Sequence, residues 1–189
     1  MTRRALILAA VLAIAATGGG TAAFLAVQTT QPQRIASDRQ AVWTEIAWPF
    51  PLDPWGRGRA FRCNSADCGD AVALYLRAKL GFCGCVTAID DEEVDRVGDA
   101  DLLGGERVAL GRGRAIEVRW MKGRSRGYTI SGRGATAKSA LLIAFHDRCD
   151  MIVATAAIAS NKPHGHEEAV IAFLNSDLVL RWAEVTLGL

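Results

Sequence analysis

Five cysteines and three histidines are the residues of this 189-residue chain with most chemistry to offer. Cys63, Cys68, Cys83 and Cys85 crowd into 23 residues, and Cys149 stands apart. In an oxidising compartment, clustered thiols become disulfides. A ring closed between Cys83 and Cys85 would be very small and strained. Bridges from the 63/68 segment to the 83/85 segment are therefore expected, stapling two neighbouring stretches. Cys149 is left over and is expected to be a buried free thiol, with one of the four cysteines or a second chain as its other possible partners.

Thiolates also suit copper(I) or zinc, and a Cys-x-Cys pair offers two ligands from one turn. His146 and Cys149, or His164 and His166, would complete such a set. The spacing departs from the Cys-x-x-Cys knuckles of zinc fingers and ribbons. Disulfide exchange at Cys83-Gly84-Cys85 is a third reading, because a strained bridge is oxidising, but no thioredoxin-like βαβ pattern surrounds it. Taken singly, the histidines read as surface residues, with His164 and His166 in a Pro/Gly loop and His146 at a turn.

Other motifs fall short. Gly132 to Ser139 nearly matches a phosphate-binding loop but has Ala137 where glycine must let the backbone close on phosphate. Gly56-Arg57-Gly58 and Gly111-Arg112-Gly113 lack the third glycine of a dinucleotide fingerprint. Asp90 to Asp95 is acidic, yet it lacks the alternation and central glycine of a calcium loop and reads as an exposed turn. No nucleophile elbow or zinc-protease helix is present. No catalytic residue is assigned, and the reading leans away from an enzyme.

The compartment follows from the N-terminus. Arg3 and Arg4 precede the uncharged residues 5–27, long enough to cross a bilayer once. Basic residues before the span put Met1 on the cytoplasmic side and the rest outside, in the periplasm if the cell is bacterial. Thr17-Gly18-Gly19-Gly20-Thr21 interrupts the stretch, so a cleaved signal peptide is the alternative to an anchor. Residues 28–40 are polar and read as a linker. Residues 41–189 then form a single extracytoplasmic domain. The formal net charge of +2 gives no drive towards nucleic acid.

Within that domain, residues 42–50 read as a short edge strand stopped by prolines. Residues 71–80 fit strand or helix, with strand favoured. Residues 115–121 alternate, with Ile116, Val118 and Trp120 on one side, and Lys122-Gly123-Arg124-Ser125 follows as a turn. Residues 140–145 and 151–158 are apolar on both faces, as in a central hairpin. The C-terminus reads as two helices, the first opening with Glu167 and Glu168 and the second N-capped by Ser176. Leu178, Trp182, Val185 and Leu189 of the second share one face. The expectation is an α+β fold, a mainly antiparallel sheet covered by C-terminal helices after an N-terminal transmembrane segment.

Residues 90–106 hold eight acids and one base, and residues 107–138 nine bases and one acid. The blocks either attract each other within the fold or form separate docking patches. Together these features suggest a membrane-tethered, disulfide-stabilised accessory or protein-binding domain with a protein partner at the membrane surface. A copper- or zinc-binding assembly factor is the alternative.

Overall fold

A computed structural model describes residues 41–81 and 88–189. The expected membrane segment, the linker, Cys83 and Cys85 lie outside the described residues. Among the described residues, no helix is long and apolar enough to cross a membrane.

Alternating and doubly apolar segments become the eight strands of one antiparallel sheet. They are β1 (Trp43–Ile46), β2 (Arg59–Cys63), β3 (Val72–Lys79), β4 (Glu106–Ala109), β5 (Arg114–Val118), β6 (Met121–Ser131), β7 (Ser139–Asp147) and β8 (Asp150–Ile158). The order across the sheet is β1-β2-β3-β8-β7-β6-β4, and β5 also pairs with β6. β4 lies beside residues 128–131 of β6 and β5 beside residues 121–125, so the two short strands share one side of it. β3 pairs with β8 from Val72↔Ile158 to Lys79↔Met151, joining the first three strands to the later meander. The strand reading of residues 71–80 and the central β7–β8 hairpin both hold.

Burial of apolar surface drives the layering. On one face, Leu74, Leu76, Leu141, Ile143 and Phe145 pack under α3 (Glu167–Leu174) and α4 (Asp177–Leu187). On the other, Leu142, Ala144 and Val153 pack under α2 (Asp91–Val97) and the 3-10 turn Ala100–Leu103. The C-terminal helices thus cover one face, and a helix from mid-chain covers the other. A further short helix, α1 (Ser65–Cys68), links β2 to β3.

Several local expectations are corrected. Residues 91–97 are a helix rather than an exposed acidic turn. Asp90 caps it by accepting a hydrogen bond from the Glu93 N–H at 2.8 Å, and acids fill its first turn, where they favour the helix dipole. The turn after β5 is Arg119-Trp120, not residues 122–125, so Trp120 is exposed. Lys122-Gly123-Arg124-Ser125 looked like a turn, but the glycine serves close approach within a strand. A Cβ at Gly123 would lie 2.5 Å from the Ala144 carbonyl oxygen and 2.7 Å from Phe145 Cβ. In α4 the buried residues are Val179, Leu180, Ala183 and Leu187, whereas Leu178 and Val185, and Leu189 just past its end, are exposed. Two apolar stripes share one helical period there, and spacing alone does not rank them.

The charge blocks meet inside the fold. Asp91 binds Arg124, and Asp95 pairs with Arg126 at 2.6 Å while accepting the Tyr128 hydroxyl. Asp99, two residues past the end of α2, lies 2.9 Å from Lys79 and 3.4 Å from Arg77, and Lys79 also donates to the Val97 carbonyl oxygen. The helix is therefore held to β6 along one side and to β3 at its far end. The strap over β3 adds Asp53, 2.5 Å from Arg77, and Trp48, whose ring lies under the Arg77 guanidinium. Buried cations are tolerated because carboxylates and an aromatic face replace their water.

Candidate functional site

The sulfur centre is the first candidate. Cys63 is the fully buried last residue of β2, and Cys68 closes α1. The intervening turn brings their Cα atoms to 6.0 Å, and the two are joined as a disulfide. This corrects the expected cross-pairing, since each of these cysteines is the other's partner. The short helix between them closes the loop locally, a geometry that sequence spacing does not reveal. Cys149, in the β7–β8 turn, is also disulfide-bonded rather than a free thiol.

The histidines disperse. His146 is a β7 residue paired with Met151, its Nδ1 3.2 Å from the Arg148 carbonyl oxygen. His164 lies within the 3-10 turn Pro163–Gly165 and His166 just after it, and they face different partners. His166 is buried rather than at the surface, with Nε2 3.0 Å from Asp70. His164 Nδ1 lies 3.4 Å from Glu167. Among the described residues, no three His, Cys, Asp or Glu side chains converge as a metal site. A disulfide between Cys63 and Cys68 leaves neither as the thiolate that copper or zinc would need.

The second candidate was not visible in the sequence. Glu167, at the start of α3, is buried against the sheet. Its Oε1 accepts a hydrogen bond from the Ser125 hydroxyl, and its Oε2 accepts one from Arg114 at 3.0 Å. Ser125 is fully buried in β6, and Arg114 is the exposed first residue of β5. His164 completes the set because Gly127 leaves it room. A Cβ there would lie 2.8 Å from His164 Nε2 and 3.1 Å from Pro163 Cγ.

This serine, glutamate and histidine do not form a hydrolytic triad. Such a triad needs the imidazole between the hydroxyl and the carboxylate, and an accessible nucleophile. Here the carboxylate sits in the middle and the hydroxyl is sealed beneath it. What the arrangement does chemically is replace the water of a buried carboxylate and pin α3 to β5 and β6.

Two clefts flank β5, one on each face of the sheet. The cleft of about 420 Å³ above Glu167 is walled by Arg114, Ile116, His164, Glu168 and Ile171. The opposite one, of about 490 Å³, is lined by the apolar Ala88, Ile89, Ala115 and Ile116 and by the charged Glu117, Lys122 and Arg124. Ile171 packs with one core cluster and Ile89 with the other, which places the clefts on opposite sides. No protein-family model matches the chain, and no curated protein matches it.

Proposed function

We propose that this chain is a non-catalytic binding module, held by its N-terminal segment at the outer face of a cytoplasmic membrane and stiffened by disulfides. Its partner is a protein at the membrane surface. The observation that carries this reading is the Cys63–Cys68 bridge, because structural disulfides persist where thiols are oxidised. Two further features favour binding over catalysis. The buried Glu167 cluster is spent on holding α3, and α4 shows solvent an apolar stripe with Val185 84% exposed.

The test is thiol trapping of the full chain in its own cell, combined with a reporter fused behind Leu189 that is active only outside the cytoplasm. The expected result is an active reporter, a linked peptide pair holding Cys63 and Cys68, and one alkylatable thiol per chain. Five alkylatable thiols and a silent reporter would overturn the reading. Five thiols holding copper(I) or zinc stoichiometrically would establish instead a soft-metal carrier using Cys63, Cys68, Cys83 and Cys85.

A further inference from the structure

The geometry points to the outer edge of β5 as the docking strand for an extended segment of a partner polypeptide, one that alternates aliphatic with basic side chains. This inference rests on the binding-module reading above and gives it a surface.

The backbone makes the first part of the case. Among the described residues, β5 pairs with β6 alone, and its other side carries no strand. The two-residue turn makes Val118↔Met121 the hydrogen-bonded pair that closes the hairpin. Bonding to β6 then falls on Val118, Ile116 and Arg114. The N–H and C=O groups of Ala115 and Glu117 point away from the sheet, and Arg114, Ala115 and Glu117 are exposed. Such groups are a template for one more strand, and only an extended backbone matches them.

The other margins of the sheet are less suited. β1 has four residues and is followed by Pro49 and Pro51; its Trp43 ring stacks on Phe173 at 4.8 Å, and Glu45 is tied to Arg59. β4 is equally short, with four residues.

Side-chain chemistry sets the sequence of the occupant. Successive residues of an added strand point to opposite faces, so every second one enters the same cleft. Ala88, Ile89, Ala115 and Ile116 give one cleft its apolar part, beside Glu117, Lys122 and Arg124, with room for Val, Ile or Leu. On the other face Glu168 is exposed and has no ion-pair partner among the described residues, while Glu167 already holds Arg114. A lysine or arginine on the incoming strand would supply the missing charge beside Glu168.

The test uses the full chain in detergent micelles and a fluorescein-labelled peptide, acetyl-Lys-Val-Lys-Val-Lys-Val-amide. A second probe has the same sequence with alternate backbone nitrogens methylated, so that it cannot complete a ladder. Expected are saturable binding of the first probe only, and slower amide exchange across residues 114–118. Ala115→Pro should abolish binding, because it removes an outward N–H without touching a β6 bond. Glu168→Lys should weaken binding by about fivefold, the size of an exposed ion pair. Equal binding of both probes, protection confined to α4 or β1, or no binding at millimolar peptide would each overturn the proposal. A chain that still exports its reporter but fails this test loses the β5 edge and keeps the tethered-module reading.

Discussion

Glu167 is a carboxylate buried between α3 and the sheet. A buried carboxylate is tolerable only while its donors stay in place. Ser125→Ala removes one of them and should cost about 1–3 kcal/mol, read from urea unfolding of the intact chain. Ser125→Thr, which keeps the hydroxyl but adds a methyl group to a sealed site, tests whether volume or hydrogen bonding dominates there. None of this was legible beforehand. Glu167 was recognisable as a helix-start acid, but Ser125 sits among charged residues and resembled part of a turn. The pairing of residues 53 and 42 positions apart in the chain comes from topology, and no local pattern encodes it. The cysteines pointed correctly to disulfides but misled on pairing, for the opposite reason. Their proximity in sequence was real, but strand, helix and turn geometry chose the partners.

Helix α2 shows how far an element can be read from charge. The acidic run and the basic run were plain in the sequence, and their mutual attraction is what the fold uses. The helical form of residues 91–97 was hidden because the acids drew attention to solvent, while Val94 and Val97 supplied the buried face. The hydrogen bond from Arg124, reinforced by the Gly113 N–H and by charge, holds the Asp91 carboxyl below the usual carboxylate range. Burial, then the bond it donates to Asp95, pushes the Tyr128 phenol up. A carboxyl lowered in the folded chain contributes stability that is present above its unfolded value near 3.8 and is lost as pH falls through the folded value. Stability should therefore drop below about pH 4. Asp91→Asn should lower stability at neutral pH and flatten the acid limb, as measured by denaturant midpoints across pH.

For α4, the competing stripes make a direct comparison. Leu180→Ala should cost about 2–5 kcal/mol, as expected for a buried leucine, whereas Val185→Ser should stay within about 0.5 kcal/mol. Similar losses from both would mean that the helix is rotated from the orientation described. Gly188, with φ of 68°, ends α4 where its sequence position indicated, because a left-handed residue is cheap for glycine.

At the scale of the whole molecule, the class of fold was legible and its wiring was not. Alternation and doubly apolar runs announced an antiparallel sheet with a central hairpin, and the terminal helices were plain. Missing were β2 and β4, each too short for a clear period, and the second helical layer. The β3–β8 pairing is the feature with the widest reach. Its partners stand 72 residues apart at the near end and 86 at the far end. A chain emerging from a ribosome therefore delivers β3 long before β8 exists to pair with it. During that wait, Leu74 and Leu76 lie on an unfinished margin that invites the wrong neighbour. Arg77 and Lys79, charges that look costly in the finished interior, lie on this same strand, and charges beside an apolar strand oppose premature association.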